Sequence, residues 1–397
     1  MTCRRWPEYA PSVSILVRQV RELATRLPSG LRVATLLYLG IRLPVEVIAA
    51  GTLGMLPLGP GATGVPFTEG PSWLKVFLRW DSGWYVSIIQ KGYTWADCTV
   101  PQVRCAQASI SFLPGYPSLV RAGMWTGLSL PTVSFILTHG ALLLGIWGVS
   151  EFVRLKRGDE PEAQRAAISM LVFPSAFFLS AGYAESLFMA AGTWGLVWLY
   201  QGRLLPAACA LAFGALTRSQ GMLLLGAVCV VLLARREWKV LALIGGVGSL
   251  AVGGFLLWQH QSFGDALAFV HARRGWGVFD LSPAESVLRY WRRTVSGELG
   301  WVGWLDFASI GALLMSGLLA WRRLGPIEGL FCLLVLAAPL SSGQVWGMTR
   351  IVLCAFPMFL LLGQLTVRPT VARLLFSSGF AWLMVSAVRF VNGHFAD

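Results

Sequence analysis

The stretch that decides the fold is Lys239–Trp258, KVLALIGGVGSLAVGGFLLW, which carries a single charge, at its first position. About 20 apolar residues suffice to cross the hydrocarbon core of a bilayer. Inside hydrocarbon a segment must satisfy its own backbone hydrogen bonds, so this run reads as a helix. Comparable runs occupy 31–58, 130–150, 301–321, 347–366 and 371–390. The 397-residue chain is 55% hydrophobic and 13% charged, with a mean hydropathy of +0.64. An ordinary soluble domain has roughly a quarter of its residues charged. A soluble core has no need of so many uninterrupted apolar runs, so the sequence predicts an all-α polytopic membrane protein.

The net charge of +13 would suggest nucleic acid in a soluble protein. Here the basic residues sit in short loops between spans, where topology and anionic head groups account for them. No separate basic domain interleaved with aromatics exists, so no nucleic-acid partner is expected. The 18 Trp suit two membrane–water interfaces. Arg4, Arg5, Arg18, Arg21 and Arg26 precede the first span, and no small-residue cleavage site follows a short apolar core. Residues 1–30 therefore read as a cytoplasmic basic segment, with 11–28 an amphipathic helix on the membrane surface.

Threading the basic loops inside gives about eleven crossings: 31–58, 130–150, 166–182, 184–201, 204–218, 219–234, 239–258, 301–321, 327–343, 347–366 and 371–390. Segment 109–128, broken by Pro114, Gly115 and Pro117, is read as re-entrant or interfacial. Residues 31–397 form one integral domain without internal repeats, with external loops at about 59–108 and 259–300. Cys209, Cys229, Cys332 and Cys354 lie in apolar runs and read as small hydrophobes. Cys98 and Cys105 share one polar loop, and a disulfide between them fits an extracytoplasmic position.

This threading gathers the unusual polar residues on one face. Asp81 lies in Arg79-Trp80-Asp81-Ser82-Gly83-Trp84-Tyr85, a partly apolar interfacial setting that suits a carboxylate to general-base work. The alternative is a cap on a short surface helix. Glu185 is embedded in an apolar stretch, which makes it a functional candidate unless its turn simply faces water. Arg218 and Arg350 flank apolar runs, where a guanidinium suits a phosphate; the alternative is snorkelling to the interface. Arg273 and Arg274 in the 259–300 loop are second choices, with a solvated pair as their alternative. His260, Asp265 and His271 match no strong metal-ligand spacing. No metal or other cofactor is expected, although the sequence leaves a divalent ion open. No Walker A motif, dinucleotide fingerprint or nucleophile elbow occurs, which disfavours nucleotide-consuming chemistry inside the cell.

Four stretches together resemble one family. They are Trp80–Tyr85 with Gly92-Tyr93; Phe112-Leu113-Pro114-Gly115-Tyr116-Pro117; Phe173–Ser180 running on through Tyr183 and Glu185–Phe188; and Ala215–Ser219 with Gly221, joined by Arg350 and Phe356-Pro357. In this order they resemble the GPI mannosyltransferase II family and its prokaryotic relatives, among the C-type membrane glycosyltransferases (GT-C). The resemblance implies a polyprenyl-phosphate-linked sugar donor, usually mannose, an inverting transfer on the non-cytoplasmic face, and no nucleotide sugar. The family's first-loop acidic residue corresponds to Asp81. The loops at 259–300 and 341–346 match nothing in the family pattern, which leaves the acceptor, a lipid or a glycan, open.

The expected chemistry assigns Asp81 the base role. Arg350 and Arg218 stabilise the leaving phosphate. Glu185 either positions the acceptor hydroxyl or orients an arginine. Trp80, Trp84, Tyr85 and Tyr183 contact sugar or acceptor. The rival classes are a lipid or solute transporter or flippase, and a non-catalytic transferase subunit. Transporters usually place ionisable residues near the midplane and often show repeats, whereas this chain keeps its charges near the ends of spans.

Overall fold

The computed structural model describes residues 27–62, 70–98, 105–279 and 281–394. The basic segment expected over 1–30, with its helix at 11–28, falls almost wholly outside them. Every regular element among the described residues is helical. In chain order these are α1 (Ser29–Gly51), α2 (Ser82–Lys91), α3 (Gly115–Met124), α4 (Leu130–Arg157), α5 (Glu160–Leu171), α6 (Glu185–Tyr200), α7 (Leu204–Thr217), α8 (Ser219–Ala234), α9 (Trp238–Phe263), α10 (Pro283–Val295), α11 (Gly300–Arg323), α12 (Pro326–Ser341), α13 (Met348–Leu353), α14 (Pro357–Leu365) and α15 (Pro369–Val391), with short turns between. Helices α1, α4, α9, α11 and α15 are long and apolar enough to cross a membrane, and α7, α8 and α12 are shorter apolar helices. The chain is a multi-pass membrane protein.

Local chemistry sets the helix ends. Helix α4 stops at Gly158 with φ 70°, after Arg154, Lys156 and Arg157 in its last turn. Glycine takes the left-handed cap without a Cβ penalty, and the cations offset the carbonyl end of the helix dipole. Two boundaries differ from the sequence reading. The expected 166–182 span is α-helical only to Leu171 and continues to Ala184 as turns around a short 3-10 helix, Ala176–Leu179. Pro174 has no amide to donate and disfavours helix at Phe173. The 347–366 run breaks at Cys354–Phe356, ahead of Pro357, into α13 and α14. Within 109–128, α3 has ten residues, about 15 Å of helix, too short to cross.

Helix α10, inside the 259–300 loop, was not foreseen. Its signal was present: Ser282 and Glu285 form a capping box around Pro283, a pattern that opens helices. Leu288, Trp291 and Val295 are left exposed.

One apolar core runs through the bundle. Helix α4 packs on α5 and α6, α6 on α7, α7 on α9, and α11 on α12. A Cβ on Gly221 would lie 2.0 Å from the Gly214 carbonyl oxygen, so only glycine allows α7 and α8 to meet around Arg218. A smaller cluster of Cys98, Ala108, Ile110, Ala268 and Ala272 joins the loop around residues 91–111 to the 259–300 loop. The Cys98–Cys105 disulfide closes one of them.

Candidate active site

Asp81 immediately precedes α2, after Trp80 at φ 53°, a backbone conformation uncommon outside glycine. Its side chain does not cap α2. Instead Asp81 Oδ2 accepts from Arg350 Nη1 at 2.5 Å. The Asp81 amide donates to the Tyr183 hydroxyl at 3.2 Å, and that hydroxyl donates to the Arg79 carbonyl at 3.0 Å.

Glu185 opens α6 and is 1% exposed, so it does not face water. Its Oε1 accepts from Arg350 Nε at 2.5 Å and lies 2.5 Å from Arg218 Nη1. Its Oε2 is buried without a hydrogen-bond partner among the described residues. The Arg350 guanidinium lies 4.5 Å from the Tyr183 ring centroid and 4.8 Å from that of Phe178, within cation–π range. Two carboxylates and two guanidiniums thus form one charge-balanced cluster, and neither arginine snorkels.

The cluster borders a cavity of about 400 Å³. Asp81, Arg218 and Arg350 line it, with Tyr85, Phe112, Trp276 and Trp346 as aromatic walls and Arg273, Gln220 and Gln344 as further polar groups. Glu185 is not among the lining residues; it reaches the cavity only through its two arginines. Arg273 donates to Gln344 Oε1 at 2.5 Å and pairs with no carboxylate among the described residues. Burial lowers the pKa of its guanidinium below the usual value.

Of the remaining predicted residues, Arg274, Trp80 and Trp84 point away from the cavity. Arg274 donates to the Cys98 carbonyl at 2.5 Å. The Trp80 indole donates to the His394 carbonyl at 3.2 Å. Trp84 stacks on Phe112 and meets the edge of Trp276, behind the cavity wall. Tyr85 lines the cavity, and Tyr183 supports Arg350 and Asp81 from behind. Gln344, Trp276 and Trp346 join the lining without having been marked in the sequence. Nothing in their local pattern marks them, because they lie in the two loops that match no family motif. His271 Nδ1 lies 2.7 Å from Asp265 Oδ2. Among the described residues no group of three or more His, Cys, Asp or Glu could hold a metal ion.

Residues 70–244 match the family described as Mannosyltransferase (PIG-V). That stretch holds Asp81, Glu185 and Arg218 and ends before Arg273 and Arg350. No curated protein sequence matches the chain. Among solved structures, ArnT from Cupriavidus metallidurans bound to undecaprenyl phosphate is similar, with a TM-score of 0.52 and 16% identity over 84% of this chain. The chain spans 60% of the length of that ArnT chain. An oligosaccharyltransferase from Archaeoglobus fulgidus, in complex with Zn and sulfate, aligns with 89% of this chain and 53% of its own at 14% identity and a TM-score of 0.45. Residues 70–244 thus resemble the PIG-V mannosyltransferases, and the helical fold around that stretch is similar to that of ArnT.

Proposed function

We propose that this membrane glycosyltransferase moves a mannosyl, or closely related, residue from a polyprenyl-phosphate donor to a hydroxyl of a lipid or glycan acceptor, with inversion, on the extracytoplasmic face of the cell membrane. The observation that carries the reading is the convergence of Asp81, Glu185, Arg218 and Arg350, three of them bordering one cavity. The ArnT structure of similar fold holds undecaprenyl phosphate, the kind of lipid that such a donor leaves behind.

In the proposed reaction the acceptor oxygen attacks the anomeric carbon. Its proton passes to the Asp81 carboxylate. The bond from the anomeric carbon to the phosphate oxygen breaks, and the departing phosphate keeps the electron pair. Arg350 and Arg218 stabilise that charge, as fixed donors do best in a dry site. Glu185 holds the two guanidiniums in place. In the resting site Arg350 is shared between Asp81 and Glu185. A donor phosphate competing for Arg350 would release Asp81 toward the acceptor. Arg273 supplies a cation that no carboxylate among the described residues occupies, so it is a phosphate ligand of this reading, and Arg274, turned to the Cys98 carbonyl, is not. Tyr85, Phe112 and Trp276 offer faces for the sugar.

The test is Asp81→Asn in purified protein supplied with polyprenyl-phosphate mannose and native membranes. A loss of about 10²–10⁴-fold in transfer is expected from removing a general base. Transfer at the wild-type rate would remove Asp81 from that role.

A further inference from the structure

Asp306 is the seventh residue of α11 and is 1% exposed. A carboxylate within a membrane span is costly unless it is used. Its Oδ1 accepts from the Met348 amide at 2.8 Å, and its Oδ2 accepts from the Tyr290 hydroxyl at 2.5 Å. Met348 is the first residue of α13, and Arg350 is its third.

Helix α13 has six residues, too few to hold a helical conformation by itself. It follows Gly347 at φ 71°, and its own sequence supplies no side-chain cap. Its first turn therefore depends on a partner from elsewhere. Asp306 supplies that cap from another helix, through a charge-assisted hydrogen bond. A second tie runs from the Ser175 hydroxyl to the Thr349 carbonyl at 2.7 Å. Tyr290 belongs to α10, the amphipathic helix of the external loop.

We propose that Asp306 is a positioning residue for the transfer reaction: it caps α13 so that Arg350 meets Asp81 and Glu185, and through Tyr290 it locks that helix to α10. This rests on the reading of Arg350 as the leaving-group partner.

The experiment has a structural arm and a kinetic arm, both on the full chain in detergent or nanodiscs. Hydrogen–deuterium exchange is followed on the peptide containing Met348. Exchange there should accelerate in Asp306→Ala and return toward wild type in Asp306→Asn, whose side-chain oxygen still accepts from the amide. Transfer from polyprenyl-phosphate mannose should fall about 10²-fold in Asp306→Ala, the scale of a small misplacement of a catalytic group. Asn should recover at least tenfold of that loss. In an Arg350→Lys background, Asp306→Ala should cost no more than about threefold further, because coupled sites are not additive. Unchanged exchange at Met348 in Asp306→Ala overturns the proposal, as does full multiplication of the two losses. If wild type transfers no mannose, the proposed function fails, and exchange alone judges the positioning role. Should Asp306→Ala not accumulate, Tyr290→Phe removes one hydroxyl and carries the same two measurements with smaller shifts.

Discussion

Helix α6 begins and ends in buried charge, and its two ends are built differently. At its start Glu185 shares one oxygen between Arg218 and Arg350, and Arg350 reaches on to Asp81, whose side chain is 33% exposed beside the cavity. At its end, about 22 Å away, the Tyr200 hydroxyl donates to Glu328 Oε1 at 2.7 Å. Lys156 Nζ sits 2.8 Å from the same oxygen, donates to the Leu324 carbonyl at 3.0 Å, and lies 3.6 Å from the Tyr200 ring centroid. Glu328 is fully buried, and none of these three residues lines the cavity of the candidate site. The second cluster clasps α4, α6 and α12. The first has balanced charges but an open side toward the cavity, which under the proposed reading is where a donor phosphate competes with Asp81 for Arg350.

That contrast can be broken in four ways. Arg350→Gln should cost the most, about 10²–10³-fold in transfer, the scale of losing a fixed donor to developing charge; single-turnover kinetics with a lipid-linked donor would measure it. Glu328→Gln should leave turnover per folded molecule near wild type while lowering stability by about 3–5 kcal/mol, since it strands Lys156. Thermal unfolding in detergent reads that, and a large turnover loss without loss of stability would erase the distinction between the two ends. Arg273→Gln should raise the donor KM with kcat nearly kept. The loss is worth about 1.5–3 kcal/mol if the guanidinium binds phosphate equally in ground and transition states. The smallest effect belongs to Lys156→Met combined with Glu328→Leu. Replacing a buried ion pair by apolar residues of similar volume is often neutral or stabilising by about 1–4 kcal/mol, so transfer should survive.

The site was legible in proportion to its local signal. Asp81 sits in an aromatic motif, and Glu185, Arg218 and Arg350 interrupt or flank apolar runs, where charge is expensive and so draws notice. Arg273 and Arg274 are adjacent and alike in sequence, yet one faces the cavity and the other the Cys98 carbonyl. One step along a turn moves a side chain to another face, and no composition argument can choose between them. Trp80 and Trp84 sit in the same motif as Tyr85 but pack away from the cavity, against the C-terminal residues and the aromatic wall. Asp306 was passed over because a single carboxylate in an apolar run gives no hint of its partners, which lie 16 residues away at Tyr290 and 42 residues away at Met348.

Sequence by itself determined the helical membrane class, the positions of five of the six long apolar runs and the identity of the four clustered charges. These follow from hydrophobic run length and from the energetic penalty on charge in hydrocarbon, and both are local quantities. Tertiary structure alone decided that Glu185 meets two arginines rather than the cavity, that Arg273 faces the cavity with no carboxylate partner among the described residues, and that a distant Asp caps the Arg350 helix. Such facts depend on which helix faces which across the bundle, and burial makes each of those pairings strong only after the chain has closed around it.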